Sequence, residues 1–276
     1  MTERETLEEL ARRAVTGEMV ALNALLRAVQ DDIYALSRRM LGESHPAEDA
    51  TQEILVKVVT SLGQFRGESQ LRTWIWRIAT RHLLRVRTSA REQRASFEAI
   101  GALVAEGETL RDPFEREDAV QLAEEVRVGC TQAMLLALER KQRMAFILGD
   151  VFELAAEQAA EVLEIQPAAY RKRLERARTE LGRFLAHRCG LANPLNACRC
   201  LRQIPVAARR GLISLDEVRH KPGLRAPPPA HFAEAHRDMR EIEQFARVFH
   251  ETEPQPAPEH ILAQIKDLLH GGKLRL

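Results

Sequence analysis

Apolar residues recur at spacings of three and four along most of this chain, which is the pattern of amphipathic α-helices. In the first third, this pattern predicts a helix over 18–41 that Gly42 ends, and a following helix with Pro46 in its first turn. A third helix is predicted after the polar loop 66–69, with Ser69 as its cap, running to about Ser89. Further helices are predicted over 119–138, 141–150, 155–163, 167–187, 231–250 and 259–269.

Composition supports a helical protein and removes several alternatives. The 276 residues are 45% hydrophobic and 29% charged, as in folded proteins, and an aromatic content of 5% argues against a β-sandwich or barrel. No run of about 18 apolar residues predicts a membrane span. The first residues are charged and predict no signal peptide. We therefore expect a cytoplasmic protein whose four cysteines are free thiols or metal ligands rather than disulfides.

The charged residues lie in blocks, although the net charge is only +1. Segment 66–94 has eight arginines against two acidic residues, and segment 171–188 has seven cationic residues against two acidic ones. Between them, segment 96–126 has nine acidic residues against two arginines. Two basic segments joined by an acidic one indicate two surfaces that bind a polyanion, with solvated helix faces as the alternative. Weak periodicity in the acidic segment predicts a linker over 95–118 with at most a short helix.

Segment 155–178 has the pattern of a helix-turn-helix. A short helix is followed by the turn Glu164–Gln166, and Pro167 suits the first position of the second helix because its missing N–H costs nothing there. Small residues and then a basic run follow, which suits close approach to a DNA major groove and contacts with guanine or phosphate. An ordinary helical hairpin with a solvated basic face is the alternative.

Four sequence motifs resemble those of extracytoplasmic-function sigma factors of the sigma-70 superfamily. The runs Ala47–Glu53, Phe65–Ser69 and Thr73–Ala79 resemble region 2 of these factors, and the run Arg173–Arg178 resembles region 4. The similarity covers about residues 14–185 and implies an all-α protein with two small helical domains. The domains implied are region 2 over 14–94, the acidic linker 95–118, the region 4 helix-turn-helix over 119–188 and a C-terminal extension over 189–276 that could be regulatory.

The resemblance implies a protein that performs no catalysis and requires no cofactor. Such factors bind core RNA polymerase, direct it to promoter DNA and help to open the duplex. The polymerase-binding residues implied are Asp49, Gln52, Glu53, Leu55 and Val56. Those implied for the −10 element are Phe65, Arg66, Gly67, Glu68, Ser69, Gln70, Arg72, Arg77, Arg81 and Arg85. Those implied for the −35 element are Ala168, Ala169, Arg171, Lys172, Arg173, Arg176 and Arg178.

The chain departs from the family pattern in both DNA-binding segments. Arg81 and Arg85 stand where the family usually has Asn and Asp. Residues Gln166–Tyr170 replace the usual Ser-x-Gly-Thr-Val. We therefore expect base contacts that differ from the common ones at both promoter elements.

The extension begins with residue types that bind metals. His187, Cys189, Cys198 and Cys200 could form a tetrahedral zinc site, although Cys-x-Cys is a poorer zinc spacing than Cys-x-x-Cys. A redox-sensing dithiol and a structural turn are the alternatives. Cys130 lies in an apolar helix and is predicted to be a core residue.

The two terminal helices have apolar faces that must be buried. They could pack on the chain's own domains as a built-in regulator, or bind a partner such as an anti-sigma factor. The rival interpretations of the whole chain are a free-standing helix-turn-helix regulator and a metal- or redox-responsive sensor.

Overall fold

The computed structural model describes residues 6–110, 116–216, 249 and 256–270, and the regular elements in these ranges are helices. The N-terminal bundle consists of α1 (Leu7–Val15), α2 (Met19–Leu41), α3 (Ser44–Ser61) and α4 (Leu71–Leu83). The five-residue helix α5 (Ala90–Arg94) and the twelve-residue helix α6 (Phe97–Glu108) follow. The helix-turn-helix domain contains α7 (Ala119–Ala137), α8 (Arg140–Phe146), α9 (Ala156–Leu163) and α10 (Pro167–Arg188). The extension contributes α11 (Cys200–Arg209) and α12 (Glu259–His270).

The N-terminal bundle follows from the predicted apolar stripes, which form one core. Its fully buried side chains include Leu22, Leu25, Ile54, Leu55 and Ile75. Gly42 ends α2 in a left-handed conformation with φ 82°, which glycine adopts without strain, and its N–H donates to the Arg38 carbonyl. The bundle therefore confirms the predicted boundary between its two longest helices.

The start and end of α4 differ from the prediction. Its N-cap is Gln70 rather than Ser69, and the Leu71 N–H donates to the carboxylate of Glu8 in α1 at 3.0 Å. A distant carboxylate thus replaces the local cap, and α1 itself was not predicted. The helix ends at Leu83, and Ser89 instead caps α5 by accepting from the Glu92 N–H.

The acidic linker is more helical than its sequence predicts. Ser96 caps α6, a twelve-residue helix whose Ile100 and Val104 are buried. Gly107 leaves room for the Gln203 side chain, which donates to the Val104 carbonyl at 2.8 Å. Gly107 is therefore a packing position for α11, and the expectation of at most a short helix was wrong over 97–108.

The helix-turn-helix forms as the sequence predicts. Glu164 turns the chain after α9 in a left-handed conformation with φ 54°, and Pro167 occupies the first position of α10. Ile165 is half-buried against the core, and the buried Tyr170 donates its hydroxyl to the Ala145 carbonyl at 3.1 Å. The second helix is thereby anchored at its N-terminal end, which leaves the remaining residues of that turn at the surface.

The two domains pack directly against each other. Arg143, which is almost completely buried, donates to the Met40 carbonyl of α2 at 2.6 Å and to the Leu136 carbonyl of α7 at 2.8 Å. Trp76 of α4 is buried edge-on against Phe152, with ring centroids 4.7 Å apart. Apolar and buried polar contacts therefore hold this closed arrangement together.

The extension returns to both domains. After the turn at 189–198, α11 packs on α6 and α7, and α12 packs on α3. The predicted helix 259–269 is confirmed, whereas the predicted helix 231–250 lies outside the described residues apart from Phe249. Phe249 is buried with its ring edge-on to Phe146 at 5.1 Å. Across the described ranges, no helix combines the length and apolar character that a membrane crossing requires.

Candidate functional sites

One edge of α3 presents acidic and polar side chains. Asp49 and Glu53 are exposed, Gln52 is half-buried, and the nearest basic side chains are His45 at 3.5 Å from Asp49 and Lys57 at 3.8 Å from Glu53. These pairs are exposed, so they leave the carboxylates available to another protein.

The two apolar residues predicted for this surface differ from each other. Val56 is half-buried, whereas Leu55 is completely buried in the bundle core. Leu55 therefore cannot contact a partner in this arrangement, which corrects its predicted place on the surface.

An open groove of about 600 Å³ lies between α3 and α4 beside this edge. Asp49, Glu53, Arg81, His82 and Arg85 are among the residues that line it. Burial and the charge of Lys57 lower the pKa of His82. The groove therefore combines carboxylates and guanidinium groups with a neutral imidazole, an arrangement suited to a polar partner surface.

The loop 65–70 is exposed at the start of α4. Arg66, Gly67 and Glu68 are exposed, and Gly67 has a left-handed backbone with φ 73°. Phe65 is half-buried against Trp74, with ring centroids 5.6 Å apart. The loop is thus anchored at one end by an aromatic contact and free at its polar tip.

The arginines predicted for the −10 element have different environments. Arg72 binds Asp32 of α2 at 2.8 Å. Arg77 binds Glu161 at 2.7 Å, and Arg81 binds Glu164 with an Nε–Oε2 distance of 2.6 Å. Arg85 is exposed on the groove. The last turn of α9 and the residue after it therefore form ion pairs with two of the four guanidinium groups.

The N-terminal half of α10 presents the predicted −35 surface. Ala168, Ala169, Arg171, Lys172 and Arg176 are exposed, and Arg173 is partly exposed. Arg171 approaches Glu157 at 3.4 Å, a weak exposed pair.

Arg178 is placed differently from the other cations of α10. It binds the buried carboxylate of Asp150, with Nε 2.9 Å from Oδ2. This ion pair holds α10 to the π-helical turn Ile147–Val151, so Arg178 is a structural residue rather than a free phosphate contact.

The predicted zinc ligands are not assembled. Nδ1 of His187 lies 2.8 Å from the Arg183 carbonyl on its own helix. No group of three or more His, Cys, Asp or Glu side chains in the described part of the chain is arranged to hold a metal ion. The Nδ1 contact leaves Nε2 of His187 available, so the zinc site of His187, Cys189, Cys198 and Cys200 stays a prediction, although these side chains are not gathered around one point in this arrangement.

The three cysteines of the extension share a cavity with Cys130 rather than with His187. Cys130 of α7 lines one cavity of about 390 Å³ together with Cys189, Cys198 and Cys200. Burial raises the pKa of Cys198 to about 11 and that of Cys200 to about 12, with Cys189 contributing in both cases. Burial also raises the pKa of Cys130. Local spacing missed Cys130 because it lies on a helix 59 positions before Cys189.

Comparisons with known proteins match both domains. The family model for Sigma-70 region 2 matches residues 25–93, and that for Sigma-70, region 4 matches residues 129–181. The ECF RNA polymerase sigma factor SigW of Bacillus subtilis is 28% identical over 182 residues, covering 65% of this chain and 96% of that protein. The RNA polymerase sigma-H factor of Pseudomonas aeruginosa is 28% identical over 189 residues, covering 67% and 96%.

Both helical domains thus define a sigma-70 type of transcription factor. More narrowly, the chain belongs to the ECF sigma factors, and it directs RNA polymerase to promoters. A solved structure of CnrH in complex with the cytosolic domain of CnrY shares 22% identity with a TM-score of 0.44, covering 64% of this chain and 94% of that chain. Neither family model extends beyond residue 181, so the extension from residue 189 lies outside both models.

Proposed function

We propose that the N-terminal bundle binds core RNA polymerase through the α3 edge formed by Asp49, Gln52 and Glu53. The observation that supports this role is the exposure of an acidic edge beside the groove, on a helix whose opposite face is core. Such an edge suits a basic protein surface by charge complementarity. The protein acts by binding alone and performs this role in the cytoplasm, where polymerase and promoter DNA are present.

The two DNA-binding roles are divided between the domains. The free tip of loop 65–70 acts at the −10 element, where a base that leaves the stack can be held against protein, and the cations of α4 follow the phosphates of the separated strand. The exposed alanines and cations of α10 act at the −35 element in the major groove. Because Arg77 and Arg81 are bound to Glu161 and Glu164, these two ion pairs open before DNA phosphates bind the arginines.

The polymerase-binding role is tested by changing Asp49→Ala together with Gln52→Ala. Affinity for purified core polymerase is measured by fluorescence anisotropy, with circular dichroism as the check on folding. A tenfold loss, about 1.4 kcal/mol, with unchanged helicity is expected. The control is Glu9→Ala with Arg12→Ala on α1, which are exposed residues outside this edge. Equal affinity for the original chain, the α3 variant and the α1 control would show that this edge of α3 is not part of the interface.

The opening role is tested in run-off transcription with core polymerase and genomic promoter fragments. Replacing residues 66–70 by alanines, while Phe65 is retained as the anchor, should reduce strand opening and largely preserve binding of the closed complex. Permanganate footprinting reports the opened bases directly. Normal opening by the variant would disprove the role of the loop. A free-standing regulator would bind duplex DNA without polymerase and give no transcript.

A further inference from the structure

The C-terminal helix α12 is seated on the helix that we propose to bind polymerase. Ile261 and Ile265, one turn apart, are almost completely buried in the core of the N-terminal bundle. Nε2 of His260 lies 3.4 Å from the Glu48 carboxylate of α3. The Ala257 N–H, just before α12, donates to the Asp31 carboxylate of α2 at 2.9 Å. An apolar stripe and two polar contacts therefore fix the position of this helix.

Helical geometry relates this contact to the proposed polymerase surface. Seven residues are close to two turns, so Leu55 lies almost directly along the helix from Glu48, and Gln52 lies between them. Asp49 and Glu53 are on the neighbouring edge and stay exposed. The tail helix therefore contacts α3 at Glu48, on the side of α3 that also carries Gln52 and Leu55.

The extension also contacts the second domain. Phe249 packs on Phe146 of α8, at the centre of the helix-turn-helix domain. The same extension thus touches both domains in the arrangement in which Arg77 and Arg81 are paired with carboxylates of the other domain. A segment linked to its binding surface acts at a high effective concentration, so it occupies the surface without needing a high intrinsic affinity.

We propose that α12 is an intramolecular inhibitor that occupies the side of α3 used by core polymerase. Polymerase and α12 compete for this surface, and polymerase binding displaces the helix. The proposal rests on the proposed function of α3. Its occupant is a segment of this chain, rather than a separate anti-sigma protein.

The test compares two double variants of α12 with the same charge change. Ile261→Asp with Ile265→Asp places charges on the buried stripe, and Ala263→Asp with Gln264→Asp places them on the exposed side. If about nine-tenths of the protein is in the covered form, releasing α12 should lower the apparent Kd for core polymerase about tenfold, and the control should match the original chain. Hydrogen exchange of α3 in the absence of polymerase reports directly whether α12 has been released.

A second measurement guards against misfolding of the first variant. A chain ending at residue 255 should bind core polymerase as tightly as the stripe variant, and a synthetic peptide of residues 256–276 added in trans should weaken that binding. If α12 is released from α3 and the affinity for polymerase does not change, then α12 is not an inhibitor of polymerase binding. If Asp49→Ala with Gln52→Ala does not weaken binding by the shortened chain, the proposed function of α3 fails instead.

Discussion

Arg77 in the N-terminal bundle is held by Glu161 in the helix-turn-helix domain, with Nη2 2.7 Å from the carboxylate and Nε 3.2 Å from the main-chain carbonyl of the same residue. Four positions further along α4, Arg81 donates from Nε and Nη2 to the two carboxylate oxygens of Glu164. Two carboxylates thus take positions that DNA phosphates would take on the proposed −10 surface. The acidic side of α9 and the basic side of α4 are complementary within one chain.

Removing these carboxylate charges should expose the arginines to DNA. Exposed ion pairs are each worth about 0.2–1 kcal/mol, so Glu161→Gln with Glu164→Gln should raise affinity for single-stranded DNA about two- to thirtyfold at low salt. The control is Glu9→Gln with Glu98→Gln, which removes the same charge from exposed sites outside this contact and outside α10. An equal gain in affinity for both variants would show that net charge alone causes the effect. It would contradict a specific block of Arg77 and Arg81 by the two carboxylates.

The salt dependence of duplex binding should distinguish the cations of α10. Each phosphate contact contributes about 0.9 to the slope of log K against log salt, so Arg173→Ala with Arg176→Ala should flatten the slope by about two. Fluorescence anisotropy between 50 and 200 mM salt measures it for promoter duplex bound to the polymerase complex. A slope unchanged within error would remove both residues from the phosphate contacts.

Arg178 provides the structural contrast on the same helix. Arg178→Ala leaves the buried Asp150 carboxylate without this partner, so we expect the free energy of unfolding to fall by about 1–3 kcal/mol. The salt slope should stay close to that of the original chain. Urea unfolding followed by circular dichroism measures the first quantity, and a flattened slope with unchanged stability would contradict the structural role.

Local rules predicted the elements whose signals lie close together in sequence. Gly42 ends α2 and Pro167 begins α10, because backbone conformation and a missing N–H act on their own neighbours. Trp76 shows the limit of such rules. It lies off the apolar stripe of α4, yet Phe152 of the other domain buries it.

The candidate sites divide in the same way. The exposure of Asp49 and Glu53 agrees with the resemblance, whereas Leu55 on the same helix is buried and the pairing of Arg81 with Glu164 joins residues 83 positions apart. The position of Cys130 beside the other thiols and the packing of α12 on α3 also depend on contacts between distant segments. Periodicity indicates that a face is buried, but not which surface buries it.

The buried ion pairs of Glu92 should make the contact between the domains sensitive to acid. Burial opposes ionisation of Glu92, but hydrogen bonds and charges from Arg140 and Arg143 outweigh it and lower its pKa. A lowered folded-state pKa means that this stabilisation is complete above the unfolded value of about 4.3 and is lost as the pH falls through the folded value.

Glu92→Gln should therefore lower the free energy of unfolding by about 1.5–3 kcal/mol at pH 7. The difference between the variant and the original chain should shrink below about pH 4, as Glu92 itself becomes protonated. Urea unfolding at a series of pH values gives both quantities. A difference that stayed constant from pH 7 to pH 3 would show that the charge of Glu92 does not stabilise the fold.

The thiols around the cavity should react slowly in the folded protein. Alkylation requires the thiolate, and burial raises the pKa of Cys198 to about 11 and that of Cys200 to about 12. Relative to an ordinary thiol with a pKa of about 8.5, the thiolate fraction at pH 7.5 is lower by more than about a hundredfold. Iodoacetamide labelling followed by mass spectrometry should therefore show protection of both residues in buffer and rapid labelling in urea. A redox-sensing thiolate would instead be labelled rapidly in the folded protein. Fast labelling of Cys198 or Cys200 in the folded chain, with α11 still helical by hydrogen exchange, would restore the redox interpretation and contradict their neutral state.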